Sequence, residues 1–215
     1  MSASAARIES RQRDWWLRSI LVLQAPRAVF SALRDDSDED ASARQEPVLA
    51  IVILAGIATV LMSSKAGQLL DDGAFDATLI AIWAFFAGGV YGVFTYWLAG
   101  LALHLGLRAL GSTGGYRRSR HALAFASVPL ALSLAVWLPR LALYGSDSFR
   151  TGGSDAGAGA AAFHWLALAF VLWSLALLLV GIRTLERWTW PRSLGALAAA
   201  AVIPALIALA AAGAF

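Results

Sequence analysis

Residues 77–107 read ATLIAIWAFFAGGVYGVFTYWLAGLALHLGL, and among these 31 residues there is no Asp, Glu, Lys or Arg. About 20 apolar residues, rising 1.5 Å each as an α-helix, cross a hydrocarbon core of roughly 30 Å. A helix serving a water-soluble core keeps one polar face, whereas this stretch shows none. It reads as a membrane span. Two further stretches repeat the pattern: 27 uncharged residues between Asp155 and Arg183, and the last 23 residues after Arg192. The composition agrees. The 215-residue chain is 59% hydrophobic and 14% charged, against roughly 25% charged in soluble domains, and its mean hydropathy is +0.66.

Working outward, the apolar runs imply an all-α integral membrane protein, a bundle of five transmembrane helices at about 47–70, 77–103, 121–144, 161–183 and 193–214. The first is the least clean, because Lys65 has to snorkel to a surface. The third contains Pro129 and Pro139. Each removes a backbone donor and crowds the carbonyl four residues back, so that helix is expected to bend or break. Ala84, Gly88 and Gly92 recur at four-residue spacing in the second span. Small residues one turn apart let another backbone approach closely, which marks a packing seam. Packing within the bundle and self-association as an oligomer are the two uses of such a seam, and four other spans in need of partners favour the first.

Two regions follow: an N-terminal cytoplasmic segment, 1–46, and a transmembrane domain, 47–215. In the first, Arg11, Asp14 and Arg18 fall on one helical side and Trp16, Ile20 and Leu23 on another. Pro26 suits a first helical turn, and Val29, Phe30 and Leu33 line a face opposite Arg27 and Arg34. Such amphipathic helices lie in a membrane interface, with Trp15, Trp16, Ile20, Pro26 and Phe30 as anchors. The alternative is that the same faces pack on the bundle. The acidic run Asp35, Asp36, Asp38, Glu39 and Asp40 reads as a solvated linker.

Orientation follows from the basic residues. Seven arginines precede the first span, Arg108, Arg117, Arg118 and Arg120 sit between the second and third, and Arg183, Arg187 and Arg192 follow the fourth. Only Lys65, Arg140 and Arg150 fall on the other side. Positive charge gathers on the cytoplasmic side. A cell-membrane protein with its N-terminus inside and its C-terminus outside is therefore expected.

Little here suggests chemistry. The chain has no cysteine, so it has neither a disulfide nor a thiolate. The centres of the spans lack the ionisable residues that intramembrane catalysis uses, and His104, His121 and His164 do not converge. No catalytic residue, cofactor or metal site is expected. The net charge of +3 is explained by span-flanking arginines that meet anionic lipid headgroups. It forms no continuous basic face of the kind nucleic acid requires. The most distinctive polar stretch is Gly111-Ser-Thr-Gly-Gly-Tyr-Arg-Arg-Ser-Arg120, in which Gly115, Tyr116, Arg117, Arg118 and Arg120 are candidates for contact with headgroups or a protein partner.

The order of these features resembles the Yip1 domain family in its bacterial form. The resemblance rests on Leu23-Gln-Ala-Pro26-Arg-Ala-Val-Phe30 before the first span and Gly88-Gly-Val-Tyr91-Gly92 within the second. It continues with Gly114-Gly115-Tyr116 in the loop and Ala124-Phe-Ala-Ser-Val-Pro129-Leu130 in the third span. The family's eukaryotic Asp-Leu-x-Gly-Pro motif is absent, Gln45-Glu46-Pro47 standing nearest to it, so that motif gives no basis for transferring eukaryotic roles such as Rab GTPase binding. The resemblance implies the fold and almost no defined activity; with no catalytic residues in the sequence, the preferred reading is a non-enzymatic protein that organises membrane or binds protein partners through its cytoplasmic face. The rival is a small permease or channel, whose carriers usually show an internal repeat and intramembrane charge.

Overall fold

The structure, a computed structural model, describes residues 16–35, 45–63, 71, 76–145, 147, 150–154 and 156–213. Trp15, most of the acidic run, Lys65 and Phe215 lie outside the described residues. After a helical segment at 16–21 come α1 (Pro26–Asp35), α2 (Gln45–Leu61), α3 (Ala77–Ala109) and α4 (Tyr116–Ala126). These are followed by α5 (Val128–Leu132), a 3-10 turn (Ser133–Val136), α6 (Trp137–Tyr144), α7 (Ala158–Glu186) and α8 (Trp190–Gly213). No strand occurs among the described residues.

Three segments are long and apolar enough to cross a membrane: Ala81–Ala109, Tyr116–Tyr144 and Ala158–Glu186, each of 29 residues. Two further apolar stretches, Pro47–Leu61 and Trp190–Leu206, are shorter. The outward side chains agree with a hydrocarbon surrounding. Val90 is 73% and Phe94 65% exposed, and contiguous apolar surface of this kind is not left facing water.

The helix boundaries differ from the sequence expectation in two places: α2 ends at Leu61, short of the expected 70, and the connection between α3 and α4 is shifted. α3 continues past residue 103 to Ala109 and ends in a left-handed cap at Gly111 (φ +89°). There the Ser112 N–H donates to the Leu107 carbonyl (3.0 Å) and the Gly111 N–H to the Arg108 carbonyl (2.9 Å), the paired bonds by which a glycine closes a helix. α4 then starts at Tyr116, so Arg117, Arg118 and Arg120 belong to its first turns and not to a loop. Nothing after Gly115 breaks a helix, and Ser119, Arg120 and His121 are buried on the face it presents to the protein.

The segment containing the two prolines is interrupted. α4 ends at Ala126, Ser127 is a turn, and Pro129 occupies the first turn of α5. A proline there has no N–H to offer the carbonyl of residue 125. The 3-10 turn that follows leads into α6, whose first turn holds Pro139.

The chain divides into two compact units. Unit one takes in the described residues of Met1–Leu49, Thr95–Ala126 and Ala176–Phe215. Its core joins Leu103 and Leu107 of α3, Ala126 of α4, Leu177, Leu178 and Ile182 of α7, and Ala196 and Ala200 of α8. Gly106 lets α3 lie against α8, since a Cβ there would fall 2.6 Å from the Ala196 carbonyl oxygen. Helix α1 is seated in the same unit. Val29, Phe30 and Leu33 are buried, and the Phe30 ring occupies the space over Gly181, where a Cβ would come within 2.9 Å of it.

Unit two comprises Ala50–Phe94 and Ser127–Leu175 among the described residues. Here Gly88 and Gly92 of α3 meet Gly56 and Ile57 of α2 backbone to backbone. A Cβ on Gly56 would lie 2.5 Å from the Gly92 Cα, and one on Gly88 would lie 2.5 Å from the Ile57 Cα. Ala84 is buried one turn further along α3.

Candidate functional site

The most elaborately held side chain in unit one is Arg120, only 7% exposed. Its guanidinium carbon lies 3.7 Å from the ring centre of Trp97, 4.6 Å from that of Tyr116 and 5.3 Å from that of Tyr96. Three rings around one cation replace water with the negative faces of their π systems. The Arg120 Nε has no hydrogen-bond partner among the described residues. The cage locks itself: the Tyr116 hydroxyl donates to the Trp97 carbonyl (2.6 Å), and Gly100 leaves room for the arginine stem, because a Cβ there would sit 3.3 Å from Arg120 Cβ and Cδ. Of the three arginines expected to reach outward, Arg120 is thus turned into the protein, while Arg117 and Arg118 remain half-buried. Gly115 is exposed, with nothing near the position of a Cβ. Sequence reasoning missed Tyr96, Trp97 and Gly100. The available signal was an aromatic pair followed one turn later by a glycine.

A second arginine group gathers at the C-terminal end of α7. A cleft of about 300 Å³ is lined by Arg27, Val180, Arg183, Thr184, Arg187, Trp188 and Trp190. The Arg183 guanidinium stacks over Trp190 (4.4 Å), and that of Arg192 over Trp188 (4.2 Å). Arg192 also donates to the Leu110 carbonyl. Arg187 ends α7 with φ +54°, the one non-glycine residue with positive φ among those described. On α1, Arg34 donates through Nε and Nη2 to the two oxygens of Asp35 (2.9 and 3.2 Å) and through Nη1 to the Thr184 carbonyl (3.4 Å). That pair, assisted by the fields of Arg187 and Arg118, holds the Asp35 carboxyl below its ordinary value of 3.8.

Of the N-terminal anchors, Trp16 (48%) and Ile20 (64%) are exposed, Pro26 is half-buried and Phe30 is fully buried against α7. In unit two a cavity of about 280 Å³ is lined by Met62, Ser133, Val136, Trp137, Arg140, Phe163 and His164, among others. Arg140 lies over the Trp137 ring (4.6 Å) and near that of Phe163 (5.4 Å). Hydrogen bonds from Thr151, its hydroxyl first and its N–H second (3.0 Å), lower the pKa of the Asp71 carboxyl. No cluster of three His, Cys, Asp or Glu side chains suited to a metal ion occurs among the described residues.

Long uncharged helices, outward aromatic and aliphatic side chains, and arginines stacked on tryptophans at helix ends define a helical membrane protein. Comparison with protein families makes the class specific: a Yip1 domain matches residues 20–212, and the chain belongs to that family. No curated protein and no solved structure matches it.

Proposed function

We propose that this Yip1-family protein is a non-enzymatic, five-span membrane protein that organises membrane or binds protein partners through a cytoplasmic face. In this reading α2 and α8 join the three longer segments as spans. The arginine-rich ends of unit one face the cytoplasm, as the distribution of positive charge favours.

One observation carries the reading. The cage around Arg120 and the glycine cap at Gly111 tie the 112–115 connection and the first turn of α4 to α3. That gives Thr113, Gly115, Arg117 and Arg118 a fixed platform, and a preorganised surface loses less entropy on docking than a free loop.

The test is a photoreactive residue placed at exposed Thr113 and, separately, at Thr151, in native membranes. Discrete protein adducts are expected from position 113 alone. They should diminish when Arg117 and Arg118 become Gln and return only in part with Lys, because guanidinium forks pair with carboxylates in a way ammonium does not. Adducts that ignore both substitutions would overturn the docking reading. Solute flux in proteoliposomes would favour the permease instead.

A further inference from the structure

The cleft at the end of α7 gathers three arginines, and no acid is among its described lining residues. Arg183 lies in the last turn of α7 and Arg187 just past its end, and both line the cleft. Arg27 arrives from the first turn of α1 to line the same space. Among the described residues none of these three guanidiniums makes an ion pair. Arg187 contributes to the field at Asp35 without an ion pair to it. Asp35 gives both oxygens to Arg34, and Glu186 turns toward the connection before α4, where its Oε1 lies 3.2 Å from the position of a Cβ on Gly114. The C-terminal carbonyls of α7 carry partial negative charge and account for some of the attraction. They do not account for an arginine drawn in from a different helix.

The walls indicate what fits. Trp188 and Trp190 are the amphipathic rings that settle at headgroup depth, and Val180 continues the lining toward the apolar middle of α7. We propose that this cleft binds the phosphate of an anionic membrane lipid and prefers a phosphomonoester headgroup to a phosphodiester. Three permanently charged forks offer more donors than a singly charged diester can use, whereas a dianion with three terminal oxygens engages them all. The bound phosphate would bridge Arg27 on α1 to Arg183 and Arg187 on α7, adding a charged clasp to the seat that Phe30 makes on Gly181. The assignment needs the chain to be in a membrane, but it does not depend on a protein partner.

The experiment uses the full chain in nanodiscs of phosphatidylcholine with a minor fraction of either phosphatidic acid or phosphatidylglycerol, reading co-retained lipid by native mass spectrometry. Phosphatidic acid should be retained about tenfold better near neutral pH, and the preference should fall below roughly pH 6 as the monoester takes up its second proton. Arg27→Gln, Arg183→Gln and Arg187→Gln should each reduce it to the phosphatidylglycerol level, and Arg108→Gln, outside the cleft, should not. Arg187→Gly separates side chain from backbone: it relieves the left-handed residue and so should fold at least as well, yet lose the preference. Retained preference in Arg187→Gly, equal retention of the two lipids by the wild type, or displacement of lipid by inorganic phosphate would each overturn the proposal. The last result would make the ligand a soluble phosphate.

Discussion

Arg120 shows how one side chain can change role between sequence and structure. It stands in a run with Arg117 and Arg118, yet its guanidinium is enclosed by Tyr96, Trp97 and Tyr116. A desolvated cation–π contact is worth about 2 kcal/mol. Arg120→Gln should therefore lower thermal stability in detergent by at least about that much, while Arg118→Gln stays within about 0.5 kcal/mol of wild type. Arg120→Lys should recover part of the loss, because an ammonium is attracted to the rings but does not stack flat on them. If Arg120→Gln and Arg118→Gln melt together, the cage does not stabilise the fold. The reason this was illegible in sequence is physical: the rings of Tyr96 and Trp97 and the cation sit more than twenty positions apart, and only the path of the chain around Gly111 joins them.

Asp35 gives a pH signature at the same scale. Its folded pKa is depressed, so the Arg34–Asp35 interaction is complete above the ordinary value of 3.8 and is lost as pH falls through the lower folded value. Arg34→Gln should raise the Asp35 titration midpoint toward 3.8, read by NMR of the labelled carboxyl. An unchanged midpoint would mean that Arg34 does not set it.

Among the elements, α2 and α3 are matched through glycine. The four-residue spacing of Ala84, Gly88 and Gly92 was legible as a seam, because small residues one helical turn apart are a local pattern. Their partner, Gly56, was not, since one glycine in an apolar run carries no period of its own. Gly56→Ala already places a methyl group 2.5 Å from the Gly92 Cα, and overpacking of this kind costs about 1–3 kcal/mol. Gly56→Leu should cost more, and Gly89→Ala, whose Cβ would meet only the Ile53 side chain at an ordinary 3.7 Å, close to nothing. Equal stability of the three in denaturant titration would dissolve the seam. The interruption before Pro129 is a contrasting case: proline acts on its own backbone, so its position could be read directly, whereas the 3-10 turn at Ser133–Val136 has no breaker residue to announce it.

For the whole molecule, the open quantity is how many helices cross. Apolar length separates Ala81–Ala109, Tyr116–Tyr144 and Ala158–Glu186 from the shorter Pro47–Leu61 and Trp190–Leu206. A 15-residue helix spans about 22 Å, which the bilayer accommodates by thinning or by snorkelling of flanking residues. With five crossings, reporter fusions at Ser112, Gly153 and Phe215 should read inside, outside and outside. An inside reading at Phe215 removes one crossing, and α2 or α8 is the one to question.

The bond from Arg34 to the Thr184 carbonyl joins residues 150 positions apart. A ribosome adding about 5–20 residues per second needs roughly ten to thirty seconds to make the seat that α1 finally occupies. Through that interval the Phe30 ring has no Gly181 to sit on, and a freshly made apolar face beside a bilayer partitions into its surface. Lying on the membrane and packing on the bundle are then successive stages in the life of one helix. Biogenesis of this protein would end with α1 lifting from lipid to seat Phe30 over Gly181 of α7.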